Sequence, residues 1–109
     1  MDKLIFIKTT LSKNKTKEKL INELLKNKYA ACINIIEKIT SYYVWEGKLQ
    51  NHKEDILLIK TALKNEKLVY KIIKKYHDYE VPEITTISVA NVDKNYLDWI
   101  KQSISGKIL

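Results

Sequence analysis

Residues 4–11 read LIFIKTTL and residues 56–63 read ILLIKTAL, a repeat that aligns position by position. In each copy a run of β-type residues (Leu4-Ile5-Phe6-Ile7, then Ile56-Leu57-Leu58-Ile59) leads into Ile-Lys-Thr-x-Leu. A polar stretch follows each copy, and then a helical pattern. Glu18-Lys19-Leu20-Ile21 with Leu24-Leu25 echoes Glu66-Lys67-Leu68-Val69 with Ile72-Ile73. Apolar pairs four residues apart make one stripe along one helix face. Each helix is followed by a further apolar strand, from Ala30 to Ile36 and from Ile84 to Val92. The chain therefore reads as two βαβ units in tandem. Strands are expected at 3–10, 31–45, 48–61 and 84–92, and helices at 13–28 and 65–76. Because each helix has a single stripe, both should cover the same face of one sheet. Right-handed crossovers then give an α+β, ferredoxin-like split βαβ sandwich with an antiparallel sheet. A third, C-terminal helix is expected after Asp93, a good N-cap, with Tyr96, Leu97 and Ile100 on its apolar side.

The middle of the chain departs from an average sheet. Residues 31–61 contain no proline, and their one glycine, Gly47, lies between Glu46 and Lys48, a turn signal. The flanking strands far exceed the usual length of about five or six residues. A hairpin that long overhangs a small domain, exposing pairing edges together with Tyr42, Tyr43 and Trp45. Such a surface is expected to be covered by further copies of the chain, so a homo-oligomer follows.

Composition narrows the function. One domain, residues 1–109, is expected from the length. The net charge is +7, and all twenty basic side chains are lysine. Lysine provides diffuse positive potential, whereas reading a base edge or clamping a phosphate in bidentate fashion favours arginine. No specific nucleic-acid recognition is therefore expected, and the strand signature of RNA-recognition domains is missing. No apolar run approaches the roughly 18 residues of a membrane span. A lone cysteine, Cys32, and the lack of a signal-peptide layout suggest a cytoplasmic protein. No serine or cysteine sits in a nucleophile elbow, and the two histidines are far apart, so catalysis is not expected.

Four separated segments carry a family resemblance. They are Ala30-Ala31-Cys32-Ile33-Asn34-Ile35-Ile36, Ile39 to Lys48 (ITSYYVWEGK), Tyr79-Glu80-Val81-Pro82-Glu83-Ile84, and Asn95-Tyr96-Leu97-Asp98-Trp99-Ile100. In order and spacing the chain resembles the CutA family of divalent-cation tolerance proteins over nearly its whole length. The resemblance implies a homotrimer built like the PII signalling proteins, with the long hairpins wrapping around neighbours. It also implies a role in tolerance to divalent metals, with weak binding of Cu(II) or another divalent cation that folding does not require. The chain departs from the family pattern at three places: Glu37-Lys38 replaces Pro-Gly, Asp78 replaces the proline of a His-Pro-Tyr, and Lys8 stands where some members have a cysteine.

The densest chemistry lies in residues 76–83, YHDYEVPE. His77 is the candidate metal ligand, with Glu80 and Glu83 beside it, because imidazole suits Cu(II) and carboxylates suit a divalent ion. The plainer reading makes His77 a helix-end histidine, bonded to a terminal carbonyl, and Pro82 the first residue of strand four. Cys32 reads first as a small apolar packing residue, and His52 as solvent-exposed. Lys13, Lys15, Lys17 and Lys19 crowd the first turns of helix one, where an anion would relieve them. A PII-like sensor that binds a small anion or nucleotide in a cleft is thus an alternative, as is a structural scaffold. Lys8, Cys32, Trp45, Lys60 and Tyr79 are the candidates for such a cleft.

Overall fold

The computed structural model describes residues 3–12 and 14–104. The elements are β1 (Leu4–Leu11), α1 (Asn14–Lys26), β2 (Cys32–Trp45), β3 (Lys48–Ala62), α2 (Glu66–Tyr76), β4 (Ile84–Ser88) and α3 (Lys94–Ile104). A 3-10 turn, Leu63–Asn65, leads into α2. The sheet runs in the order β2-β3-β1-β4, and every neighbouring pair is antiparallel. This is the ferredoxin-like arrangement that the repeat implies. The expected first residue of helix one, Lys13, lies outside the described residues. Strand four is shorter than expected: Ser88 pairs with Ile5, and β1 begins only one residue earlier, so β4 soon has nothing to pair with. Pro82 lies two residues before β4 and not at its first position.

Alternation along the two repeat strands builds the core. Ile5, Ile7 and Leu11 of β1 and Leu57 and Ile59 of β3 turn to one face, where Leu20, Leu24, Val69, Ile72 and Ile73 of the helices meet them. All these residues are buried. Lys60 and its neighbours of the same parity face the other side. There the Lys60 ammonium donates to the Tyr96 hydroxyl of α3 (3.1 Å), and Ile100 of α3 is buried. As expected, Asp93 caps α3, its Oδ2 accepting the Tyr96 N–H at 3.2 Å.

The hairpin projects from this body, which gives the chain extents of 49 × 28 × 23 Å. β1 pairs with β3 only from Asp55 to Ala62. Residues 48–54 therefore pair with β2 alone, a two-stranded arm about 23 Å long at 3.3 Å per residue. Its tip is Glu46-Gly47 between the paired residues Trp45 and Lys48. Both turn residues have positive φ (51° and 77°), the conformation of a type I′ hairpin turn.

At the base of the arm β2 bulges between Ile36 and Ile39. Lys38 takes a left-handed φ of 56°, a conformation that glycine reaches more readily than lysine. Asp55 holds the bulge in place. Its Oδ1 accepts the Lys38 N–H (2.9 Å) and its Oδ2 the Lys17 ammonium of α1 (2.7 Å). The Lys17 contact first, then the Lys38 N–H, keeps the Asp55 carboxyl below the ordinary carboxylate range. An Asp55→Ala change is expected to lower unfolding stability by about 2 kcal/mol, since charge-assisted hydrogen bonds of this kind contribute about 1.5–3 kcal/mol. Urea unfolding followed by circular dichroism checks this, and an unshifted midpoint would show that the junction holds nothing.

Candidate binding cleft at the root of the hairpin arm

A cleft of about 530 Å³ opens where the arm meets the segment between α2 and β4. Ser41, Tyr43 and Trp45 of β2 and His52 and Glu54 of β3 form one wall. Tyr79, Glu80 and Glu83 form the other. His52 and Glu54 are two apart on one strand, so both side chains face the cleft.

Glu54 is the centre of the wall. It is buried, 7% exposed. Its Oε1 accepts the Ser41 hydroxyl (2.6 Å), while Oε2 accepts the Tyr79 hydroxyl (2.9 Å) and the His52 Nε2–H (3.1 Å). Burial alone would raise its pKa, yet the three donors outweigh burial, and the carboxyl lies below its ordinary value. The Tyr79 phenol is pushed up to about 12, first by burial and then, against a lowering contact from Ser12, by the Glu54 carboxylate. On its other side the His52 ring accepts the Tyr43 hydroxyl at Nδ1 (3.0 Å). The rings of Tyr43, His52, Tyr79 and His77 follow one another edge to face, with centroids 5.4, 5.9 and 4.4 Å apart. That chain ties the arm to the body.

His77 plays a different part from the one its sequence context suggests. Its Nε2–H donates to the Thr10 carbonyl of β1 (2.7 Å), and its Nδ1 accepts the Tyr79 N–H (3.2 Å). It caps the end of α2 through its backbone N–H, which donates to the Ile73 carbonyl (2.9 Å), but the carbonyl its ring bonds belongs to β1 and not to the helix. Both ring nitrogens are thereby occupied. Glu83 pairs with Lys8 at 3.1 Å, so an ammonium already neutralises that carboxylate. Glu80 is exposed at the cleft. Among the described residues no three His, Cys, Asp or Glu side chains gather as a metal-holding group, so His77, Glu80 and Glu83 do not converge as the sequence suggests.

The other candidates divide. Trp45 and Tyr79 line the cleft, and Lys8 borders it through Glu83. Cys32 and Lys60 are cross-strand partners at the far end of the sheet. Lys60 lies eight residues along β3 from His52, about 26 Å away. Cys32 is half-buried, not fully packed. His52, expected to be exposed, keeps 36% of its side chain exposed and is also held on both ring nitrogens. Sequence reasoning missed Ser41, Tyr43, His52 and Glu54 as cleft residues. The signal for two of them was present: a histidine and a glutamate at i and i+2 on a strand share a face.

An antiparallel ferredoxin-like sandwich with a bulged hairpin arm and a polar, aromatic cleft at its root defines the class. The description of the CutA1 divalent ion tolerance proteins matches residues 5–103, and the chain belongs to that family. It is 34% identical to the chloroplastic protein CutA of Arabidopsis thaliana over 91% of this chain and 54% of that protein. It is also 34% identical to the divalent-cation tolerance protein CutA of Escherichia coli O139:H28, over 82% of this chain and 80% of that one. The chain thus spans about half the length of the plant relatives it matches. The crystal structure of CutA1 from Ehrlichia chaffeensis superposes with a TM-score of 0.89 at 31% identity, covering 95% of this chain and 97% of that one.

Because the folded pKa values of Glu54 and Asp55 are depressed, the stability they give is fully present above their unfolded pKa values of about 4. It is lost as pH falls through the folded values. Thermal unfolding should therefore hold steady from about pH 7 to 5 and fall below about pH 4. Glu54→Gln replaces one acceptor with a donor facing Tyr79 and His52. It is expected to lower stability by about 2 kcal/mol and to bring the Tyr79 phenol down toward its ordinary value, read by ultraviolet titration. An unmoved phenol would detach Tyr79 from Glu54.

Proposed function

We propose that the chain works as a cytosolic homotrimer in divalent-cation tolerance, touching Cu(II) weakly and carrying out no catalysis. The observation that carries the assembly is the uncovered arm: Tyr42 and Val44 are each 67% exposed and Leu49 is 78% exposed. A two-stranded ribbon with apolar side chains in water is marginal by itself, and neighbouring copies give it a surface to pack on. The free cysteine supports a reducing compartment.

The Cu(II) contact fits the cleft better than any site built on His77. His52 is engaged there by side chains, which move aside more easily than the backbone groups holding His77, and exposed Glu80 faces the same space. Binding requires breaking the Tyr43–His52 bond, which keeps it weak. Three glutamates line the cleft, which disfavours the small-anion reading.

Two measurements test this reading. Light scattering at micromolar concentration is expected to give three times 12.8 kDa, and Val44→Asp with Leu49→Asp to shift the mass toward one chain. A monomeric wild type sinks the assembly. Copper titration is expected to show several-fold weaker binding for His52→Ala, whereas His77→Ala lowers thermal stability and leaves affinity near wild type. Equal affinity of wild type and His52→Ala would remove that imidazole from the account.

A further inference from the structure

The charge of this molecule is concentrated in one layer. Residues 14–28 and 63–76, the two helices and their ends, hold ten lysines and three glutamates, a net +7. That equals the charge of the whole chain, because the other ten lysines are matched by ten carboxylates. Two of the three helical glutamates are engaged, Glu23 by Lys75 and Tyr76 within the layer and Glu66 by Thr86 of β4. Lys15, Lys19 and Lys26 of α1 and Lys67, Lys71 and Lys74 of α2 are all exposed. None of these six ammonium groups has a carboxylate within ion-pair distance among the described residues. On α2, Lys67, Lys71 and Lys74 border a groove of about 520 Å³ together with Tyr70 and Glu66, whose carboxylate is turned to the Thr86 hydroxyl.

We propose that this helical face binds the phosphate backbone of nucleic acid without regard to sequence. Lys67, Lys71 and Lys74 fall at i, i+4 and i+7 and span about 10 Å of helix, close to the rise of three nucleotide steps of a duplex. A lysine ammonium serves as a point charge for phosphate oxygens, while the absence of arginine removes the fork that reads guanine. A basic domain with its lysines clustered on one face carries the electrostatic footprint of such proteins, and the chain's isoelectric point is about 9.4. An anionic lipid surface fits less well. Interfacial helices insert an apolar face, and here the apolar stripes of both helices are buried against the sheet. Leu25, Leu63 and Leu68, at 38%, 45% and 36% exposure, are the large apolar side chains this layer leaves exposed, too little to hold a bilayer.

The test is fluorescence anisotropy with a labelled DNA duplex and a second duplex of scrambled sequence, over a salt series. Expected is equal binding to both at about 50 mM salt, weakening steeply toward about 200 mM. Changing Lys67, Lys71 and Lys74 together to Gln should reduce the slope of log affinity against log salt by about three units, one for each phosphate no longer neutralised. The matched change of Lys3, Lys94 and Lys101 to Gln removes the same charge away from this face and should leave the slope unaltered. Thermal melting confirms that both variants fold. The proposal falls if no duplex binds at about 50 mM salt, where electrostatic attraction is strong. It also falls if the two triple variants lose affinity equally, or if the protein sediments with phosphatidylserine vesicles yet ignores the duplex.

Discussion

One carboxylate, Asp55, stands where three parts of the chain meet. It is the first residue of β3 to pair with β1, opposite Leu11. It fixes the backbone of the β2 bulge through Lys38 and holds α1 through Lys17. On one side of it the sheet is four strands wide and covered by helices; on the other it is a bare ribbon. The bulge increases local twist, so the direction in which the arm leaves the body depends on this junction. The cleft depends on it in turn, because Glu54 and His52 lie just beyond it on the opposite face of the same strand.

The polar network around Glu54 performs for the arm what apolar packing performs for the body. A two-stranded hairpin has no core, and side-chain bonds can tie it down only where water is excluded. Burial makes Glu54 costly to ionise, and the donors from Ser41, Tyr79 and His52 reverse that cost. His77 fastens the opposite wall to β1. The same histidine cannot offer a free lone pair and hold that wall together, which separates the residues that position the cleft from those that meet a ligand.

Charge is divided as sharply as packing. The cleft gathers carboxylates and aromatic rings, while the opposite helical layer holds the chain's entire positive excess. A single net charge of +7 conceals two surfaces of opposite character, and each suits a different kind of partner.

The repeated Ile-Lys-Thr-x-Leu strands, the single-stripe helices, the Gly47 turn and the Asp93 cap were all legible in the sequence. Each depends on local periodicity or on the stereochemistry of one or two residues. That is why the strand order and the long arm followed from the sequence alone. The density of YHDYEVPE was legible too, but not its meaning. Whether His77 offers a nitrogen depends on the carbonyl of Thr10, 67 residues away, and whether Glu83 is free depends on Lys8. Glu54 looked like one more charged residue on a long strand until the packing of arm against segment buried it beside Tyr79. Hydrogen-bond partners distant in sequence are set by how the layers dock, so tertiary structure alone decided which side chains hold the cleft and which remain for a ligand.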